Sequence, residues 1–479
     1  MRRPEEVHRP GRRRRRGALG APFAVLATVG ALLAGCAPDQ GREVTADVEA
    51  VPVTAGQART VADSLWAFTA DLHRALVDRD PQANAVVSPV PVAAGLTQAW
   101  SGAAGATREQ LGRVLHLDEG DEAAMAAAAR TLPQRSGARA DDETGREGEV
   151  TVMTPSSLWA QRATTFGEPW LEGLAETWDT GVRVTDFRSD PEAARRTINE
   201  WMAEASADYL DPLLDRGSLD QFTRFLATSG AVLRAPWSDP FDRRDTRLAD
   251  FERLDGTLVT VPLMRRVEDT DARTASGDGW TAVELPYLGE ELHVTVVLPD
   301  EGRFGEIEAS LDGPALEQLR AALRRTPVDV SVPQFAVTSQ LRLDDALRTL
   351  GVVDAFDRGV ADFADITADE ALALSGVAHQ TFLALDEEGT EASGSAPRTT
   401  TTSTTTTTST TSTTGSTAAP SPTGEGSTTT AVATPPSTGP ATPDPARTTV
   451  VVDRPFLVLV TDRATGIPLF YGRVVSPRG

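Results

Sequence analysis

A chain of 479 residues with 40% hydrophobic residues can bury a large core, and its formal net charge of −23 makes the surface acidic. An acidic surface repels the phosphate backbone of DNA and RNA, so nucleic acid is not expected as a partner. All 46 Lys+Arg residues are arginine, which excludes a Schiff-base lysine and a phosphate-binding lysine.

The N-terminus has the pattern of an export signal. Arginines at positions 12–16 precede an apolar run over 18–33, which is too short to favour a stable membrane span. The next residues, Leu33, Ala34, Gly35 and Cys36, look like a bacterial lipobox. We therefore predict a lipoprotein signal peptide over residues 1–35, a lipid anchor on Cys36, and an exported protein held at the outer face of the membrane.

Composition divides the rest of the chain. Residues 36–60 are polar and predict a flexible tether, followed by a folded domain over 61–479. Residues 134–148 have no apolar period and predict a surface loop. Residues 397–449 are mainly Thr, Ser, Pro, Gly and Ala, so we predict a disordered insert that is typical of O-glycosylated stalks.

Helix and strand patterns are mixed along the predicted domain. Apolar residues recur at helical spacing over 61–77 and 195–209. Strand-like runs cover 292–298, 328–332, 450–460 and 469–475. The last two runs predict a hairpin with Gly466 at positive φ. The order indicates an α+β fold and not a regular βαβ alternation.

Catalytic and metal-binding patterns are not found in the sequence. None of the five histidines has a second histidine at zinc-site spacing, and Cys36 is the only cysteine, so no intramolecular disulfide forms. There is no Gly-x-Ser-x-Gly elbow and no phosphate-binding glycine loop. We expect no enzyme activity, no metal and no cofactor.

Short motifs from about residue 61 to the end resemble, in the same order, those of the serpin family. They lie at 84–89, 102–107, 198–201, 237–241, 285–287, 298–300, 332–335, 350–356, 453–456 and 470–474. Each motif is short, and the resemblance depends on the ordered set. It implies a serpin-like α+β fold with a large mixed β-sheet, two smaller sheets, eight or nine helices and an exposed reactive loop.

The resemblance also implies a function. A serpin inhibits a serine, or in some cases a cysteine, protease: the protease cleaves the reactive loop, and the loop enters the large sheet and carries the acyl-enzyme away. We expect a monomer that acts in this way. The alternative is a non-inhibitory surface protein whose Thr-rich loop is a glycosylated or protease-sensitive stalk.

The resemblance assigns the loop hinge to Glu387, Glu388, Gly389, Thr390, Glu391 and Ala392. Because side chains alternate along a strand, Thr390, Ala392, Gly394 and Ala396 would face the core on insertion, and Glu391 would face water. Small residues at the core-facing positions favour insertion.

The candidate scissile positions after the hinge are Arg398, Ser403, Thr404, Asp444 and Arg447. Counting from the hinge places cleavage near Ser403, whereas counting back from the C-terminal motif places it near Asp444. The two positions differ by about 41 residues, or roughly 135 Å of extended chain. Pro397 lacks an N–H, and Arg398 would face the core, so both oppose full insertion.

The resemblance further assigns Ser88, Ser229 and His379 to a buried polar cluster that controls opening of the large sheet. Ser88 and His379 match the family pattern. Ser229 replaces a usual asparagine, and Pro91 replaces a usual second serine. We therefore expect the equilibrium between the closed and open sheet to differ from that of its relatives.

Overall fold

The computed structural model describes residues 41–141, 144–269, 272–368, 371–390 and 448–478. The helices within these residues are α1 (Ala55–Arg59), α2 (Ala62–Val77), α3 (Pro89–Ser101), α4 (Gly105–Val114), α5 (Glu122–Thr131), α6 (Glu168–Gly173), α7 (Pro191–Ala205), α8 (Phe304–Ser310), α9 (Gly313–Ala322) and α10 (Asp344–Leu350). Short helical turns of other types span Leu132–Arg135, Leu174–Trp178 and Asp354–Phe356.

The strands of the described residues form three sheets. In chain order they are β1 (Arg42–Val44), β2 (Ala85–Val87), β3 (Gly137–Asp141), β4 (Arg146–Met153), β5 (Ser156–Gln161), β6 (Val182–Thr185), β7 (Phe225–Pro236), β8 (Arg247–Glu252), β9 (Leu258–Asp269), β10 (Arg273–Gly277), β11 (Trp280–Pro286), β12 (Leu292–Pro299), β13 (Arg324–Arg325), β14 (Val328–Pro333), β15 (Phe335–Arg342), β16 (Leu374–Leu385), β17 (Gly389–Thr390), β18 (Thr448–Val451), β19 (Phe456–Asp462) and β20 (Pro468–Val474).

The largest sheet has nine strands in the order β1-β6-β5-β7-β17-β16-β15, and the β3–β4 hairpin joins it through β7. It is mixed, because β7 and β16 run parallel while β15 and β16 run antiparallel. The second sheet has the order β13-β10-β11-β12-β19-β20-β2, and the third has the order β18-β14-β9-β8. The predicted α+β class, with one large mixed sheet and two smaller ones, is confirmed.

Strand β7 lies at the centre of the large sheet and is buried on both faces. Ala227 and Leu233 contact the main core, whereas Leu226 and Val232 contact a second cluster under α7. A strand covered on both sides carries few charged residues, and Arg234 is the only charged residue in β7. Helix α7 begins with the cap of Asp190, whose carboxylate accepts the Ala193 N–H at 2.8 Å, so it starts earlier than the predicted residue 195.

The prediction of a flexible tether over 36–60 is wrong for residues 41–60. Strand β1 pairs with β6, and Glu43 accepts hydrogen bonds from the Gly181 N–H at 2.7 Å and the Thr180 hydroxyl at 3.1 Å. Glu43 also pairs with Arg183 at 2.9 Å. Polar residues in this segment therefore bind the edge of the sheet, and residues 41–60 belong to the fold.

Two other predicted boundaries are corrected. The predicted surface loop over 134–148 contains most of the β3–β4 hairpin, and Arg135 of this segment pairs with the buried Asp462 at 2.6 Å. The predicted single strand over 450–460 is two strands, β18 and β19, in different sheets. Because β18 starts at Thr448, the predicted insert ends before residue 449.

The described residues contain no helix long and apolar enough to cross a membrane. Within the same residues, no group of three or more His, Cys, Asp or Glu side chains could hold a metal ion.

Candidate functional site

The predicted hinge begins with a tight turn after β16. The Asp386 carboxylate accepts the backbone N–H of Glu388 at 2.9 Å and of Gly389 at 3.1 Å. The Asp386 N–H donates to the Gly389 carbonyl at 2.9 Å. An aspartate that bonds its own following backbone reverses the chain direction, so β17 runs back beside β16.

Trp237 holds this turn against the end of β7. Its backbone N–H donates to the Glu388 carbonyl at 2.9 Å, and its indole N–H donates to the Asp386 carbonyl at 2.8 Å. The indole stacks on the Tyr287 ring with centroids 4.8 Å apart. Both rings are fully buried, so the turn rests on a rigid aromatic support.

Glu387 and Glu388 have different environments. Glu387 is buried, and its carboxylate accepts hydrogen bonds from the Thr246 hydroxyl at 2.6 Å and the Gln334 amide at 2.7 Å. Glu388 points to the surface and lies 3.8 Å from Arg146 and 3.6 Å from Arg243. Glu387 therefore fixes the turn to the neighbouring strands, whereas Glu388 contributes only long, exposed ion pairs.

The hinge residues Gly389 and Thr390 form β17, which lies between the ends of β7 and β16. Thr390 pairs with Ala235 on one side and with Leu385 on the other. It is 1% exposed, and its hydroxyl lies 2.5 Å from the Tyr287 hydroxyl. Burial raises the pKa of Tyr287, so the phenol keeps its proton for this hydrogen bond.

Below β17, β7 and β16 pair directly with each other. Their parallel register includes Phe382 with Val232 and His379 with Ser229. The large sheet is therefore closed along most of the boundary between these strands and is opened only at its end, by β17. The other predicted loop residues, which are Glu391, Ala392, Arg398, Ser403, Thr404, Asp444 and Arg447, lie outside the described residues.

The structure brings Ser88, Ser229 and His379 together in the middle of this closed boundary. The Ser88 backbone N–H donates to His379 Nε2 at 3.0 Å, and Ser229 Oγ lies 2.9 Å from His379 Nδ1. A backbone N–H can only donate, so Nε2 must be unprotonated and the ring proton lies on Nδ1, where it donates to Ser229. The hydrogen bond between Ser229 and His379 connects β7 to β16.

Sequence reasoning missed two neighbours of this cluster. The Thr381 hydroxyl donates to the Val86 carbonyl at 2.8 Å, and Ser339 Oγ accepts the Val86 N–H at 3.0 Å. Both residues tie β2 to the large sheet. The alternation of side chains along β16 places Thr381 on the same face as His379, and this signal was available in the sequence.

Burial lowers the pKa of His379 to about 3. The unfolded chain therefore binds the proton more readily than the folded chain, and the neutral ring stabilises the fold fully only above its unfolded pKa of about 6.5. The stabilisation is lost as the pH falls from about 6.5 toward 3. Protonation would also remove the acceptor for the Ser88 N–H.

We predict that His379→Gln reduces the loss of unfolding free energy between pH 7 and pH 4 by on the order of 3 kcal/mol, because one buried group no longer titrates. Urea unfolding at several pH values measures this change. His116→Gln, at an exposed histidine, is the comparison variant for the removal of an imidazole from the surface. Equal pH dependence in the wild type and His379→Gln would contradict the assignment.

Comparison with known proteins agrees with this architecture. The family model described as serpin (serine protease inhibitor) matches residues 63–477. A serpin-like protein of unknown function from Thermococcus kodakarensis is 29% identical over 424 residues, which are 88% of this chain and 87% of that protein. Leukocyte elastase inhibitor from Equus caballus is 27% identical over 342 residues, or 69% and 87% of the two chains.

A solved structure has the same fold. Tengpin, a thermophilic serpin in its native state, superimposes with a TM-score of 0.71 at 20% identity, and the match covers 91% of this chain and 100% of tengpin. The family match, the curated relatives and the shared fold lead to the same conclusion: the chain belongs to the serpin family.

Proposed function

We propose that the chain inhibits a serine-type endopeptidase by cleavage and insertion of its reactive loop, and that it is not an enzyme. The observation that carries this proposal is the position of Gly389 and Thr390. They already pair with both β7 and β16 at the end of a boundary that is closed below them. A strand that continued from Thr390 would add hydrogen bonds only by separating β7 from β16.

The register of β17 predicts where each loop residue would lie after insertion. Continuing the antiparallel pairing places Ala392 beside Leu383 and Leu233. Further along the same face, Gly394 would lie beside Thr381 and Ala231, and Ala396 beside His379 and Ser229. These neighbours are all buried, so small loop residues fit and larger ones would overlap them.

Insertion as far as Ala396 requires that the hydrogen bond between Ser229 and His379 breaks. This bond crosses the boundary that the loop must enter. Ser88, which bonds the other side of the ring, holds His379 in place while the sheet is closed. We infer that Ser88, Ser229 and His379 keep the sheet closed until loop cleavage supplies a new strand.

The same register predicts where insertion becomes unfavourable. Pro397 would lie beside Ala378 and Thr228 and cannot donate to either strand. Arg398 would lie on the core-facing side beside Val377 and Ala227, which are each at most 2% exposed. An unpaired guanidinium there is strongly destabilising, so the loop meets its largest barrier just past Ala396.

We predict that purified protein incubated with trypsin-like, chymotrypsin-like or subtilisin-like proteases forms a complex that survives SDS electrophoresis. Thr390→Arg should abolish the complex and leave simple cleavage, because a guanidinium cannot replace a threonine that is 1% exposed. Thr349→Arg, which is the same substitution at an exposed position of α10, is the matched control and should keep the complex. If all three classes of protease cleave the loop of the wild type cleanly and keep full activity, the chain does not inhibit any of them.

A second candidate function follows from Arg398. If its burial blocks insertion, the chain is a non-inhibitory surface protein whose Thr-rich loop is a glycosylated or protease-sensitive stalk. The discriminating property is thermal stability after the loop is cut, because an inserted strand adds hydrogen bonds and apolar contacts to the large sheet.

We predict that loop cleavage raises the melting temperature more in the double variant Pro397→Ala, Arg398→Ala than in the wild type, by about 5 °C, because the double variant buries no unpaired charge. Calorimetry before and after limited cleavage with subtilisin measures the difference. The uncut proteins should melt at similar temperatures. Equal rises in melting temperature for the two cut proteins would show that Arg398 does not oppose insertion. No rise in either protein would favour the non-inhibitory surface protein with a stalk-like loop.

We also propose that the chain is exported and anchored through Cys36. The first described strand begins at Arg42, so five residues lie between it and Cys36, and a fully extended chain of that length spans at most about 20 Å. An anchored domain would therefore be held close to the bilayer.

We predict that Cys36→Ser moves the protein from the detergent phase to the aqueous phase in Triton X-114 partitioning of cells that express the full chain. Two acyl chains on the cysteine supply stable anchoring, and serine cannot receive them. Gly35→Ala, which keeps the thiol, serves as the control. Recovery of the wild-type chain in the aqueous phase would contradict the anchor.

A further inference from the structure

A segment over 206–214, which we term the strap, follows α7 and crosses the boundary between β7 and β16. Its buried leucines belong to the same apolar cluster as Leu226 of β7 and Ala378 of β16. Ala378 and His379 are adjacent in β16, so their side chains lie on opposite faces of the sheet. The strap therefore covers the boundary on the face opposite the polar cluster around His379.

Hydrogen bonds attach the strap to both sides of the boundary. On the β7 side, Arg234 Nη1 donates to the Tyr209 hydroxyl at 2.7 Å, and the guanidinium lies over the Tyr209 ring. On the other side, Gln340 of β15 donates its amide to the carbonyls of Pro212 at 3.2 Å and Leu213 at 2.9 Å. Since β15 pairs with β16, the strap connects the two halves of the large sheet that a new strand would separate.

The two ends of the strap are fixed to α7. Asn199 of α7 accepts the Leu214 N–H at 2.8 Å and donates its amide to the Leu214 carbonyl at 2.9 Å. At the other end, the Ser206 N–H donates to the Met202 carbonyl at 2.9 Å. The strap and α7 therefore form one unit, which is attached to β7 and to β15.

This unit cannot keep both attachments when the sheet opens. A strand that enters between β7 and β16 moves them apart by about 4.8 Å, which is more than a hydrogen bond can span. On the β7 side, the bond has a charged donor, and Trp201 of α7 packs edge-on against Trp159 of β5 with ring centroids 5.6 Å apart. On the β15 side, Gln340 is exposed and makes neutral hydrogen bonds, which are weaker. We therefore expect the contact with Gln340 to break first.

The joint between α7 and the strap is strained. Ala207 has a φ of 49° and Asp208 a φ of 61°, in the left-handed region that residues other than glycine rarely adopt. Backbone hydrogen bonds hold both residues there, from the Ala207 N–H to the Glu204 carbonyl at 3.1 Å and from the Asp208 N–H to the Ala203 carbonyl at 2.7 Å. Both side chains are exposed, so their packing does not offset the strain. The strain favours a change that lets the strap relax.

We propose that Gln340 is a latch that holds the strained strap across the boundary, and that its release is a step in the opening of the large sheet. Gln340 acts through the strap and is therefore a positioning residue. This inference rests on the proposed insertion of the reactive loop, which is the event that opens the sheet. Bonds on both faces then break before a strand enters, at His379 on one face and at Gln340 on the other.

Hydrogen exchange of the uncut full chain, followed by mass spectrometry, tests the latch. Gln340→Glu keeps the shape of the side chain but cannot donate to the two carbonyls of the strap. Peptides from β7 and β16 should then exchange at least about fivefold faster than in the wild type. Peptides from β19 and β20, in the second sheet, should exchange at the wild-type rate, whereas a general loss of stability would accelerate them as well.

Gln134→Glu is the matched control, because Gln134 is exposed and donates its amide to the Arg130 carbonyl at 3.0 Å, away from the strap. It should leave exchange in β7 and β16 unchanged. Gln340→Met, which has a similar length, no donor and no charge, should accelerate exchange as Gln340→Glu does. The latch is overturned if Gln340→Met exchanges like the wild type, since any effect of Gln340→Glu would then come from its added charge.

Ala207→Gly tests the strain, because glycine adopts a positive φ without a steric penalty. Relief of the strain stabilises the closed sheet, so exchange in β7 and β16 should be about fivefold slower than in the wild type. Ala163→Gly is the matched control, since Ala163 is exposed and has a φ of 68° in the turn after β5. Equal exchange in β7 and β16 for the two glycine variants would show that strain in the strap does not promote opening.

Exchange is measured without a protease and without loop cleavage, so it is independent of inhibition. Faster exchange in both Gln340 variants, together with a wild type that forms no SDS-stable complex, would refute the inhibitory function and retain the latch. Formation of the complex, together with unchanged exchange in the Gln340 variants, would retain the function and refute the latch.

Discussion

The direct pairing of β7 with β16 is the constraint on which the rest of the molecule depends. Two parallel central strands share backbone hydrogen bonds along most of their length, yet β17 already separates them at one end. A further strand can enter only by exchanging each β7–β16 hydrogen bond for new ones on both sides. Because an added central strand has two neighbours and the boundary has one, the exchange increases the number of backbone hydrogen bonds. Under the proposed function, the closed sheet would therefore persist only while no suitable strand is available.

The residues around this boundary divide into those that hold it closed and those that prepare it to open. His379 is held on one side by the Ser88 backbone and on the other by Ser229, which fixes its tautomer and links the two strands. At the end of the boundary, the turn from Asp386 to Glu388 and the aromatic pair of Trp237 and Tyr287 direct β17 into the gap. Under the proposed function, one cluster would resist separation and the other would align the incoming strand, so the register of insertion would be set before any loop bond is cleaved.

Much of this arrangement could be predicted from the sequence. The ordered motifs indicate the family, and the resemblance then assigns the hinge residues from Glu387 to Thr390 and the cluster of Ser88, Ser229 and His379. The folded segment over 41–60 could not be predicted in the same way. Its polar residues resemble a linker, and the donors that order it, such as Gly181 and Arg183, lie about 140 positions away in sequence. The β3–β4 hairpin was missed for a similar reason, because Arg139 in β3 pairs with Glu291, and Arg135 just before the hairpin pairs with Asp462. Local patterns do not reveal these distant partners.

In the proposed mechanism, the position of Arg398 in the sequence limits how many loop residues can be inserted into the large sheet. Up to Ala396, the core-facing loop residues are small and replace β7–β16 contacts with similar apolar ones. At Arg398 the same alternation would place a charge beside the buried side chains of Val377 and Ala227. The gain in backbone hydrogen bonds then opposes the desolvation of one guanidinium, and both quantities amount to several kcal/mol.

A cleaved loop could avoid this burial if its inserted strand ended at Ala396, with Pro397 as the first residue outside the sheet. The position of a proline is then explained as well, because a residue that cannot donate is best tolerated where pairing stops.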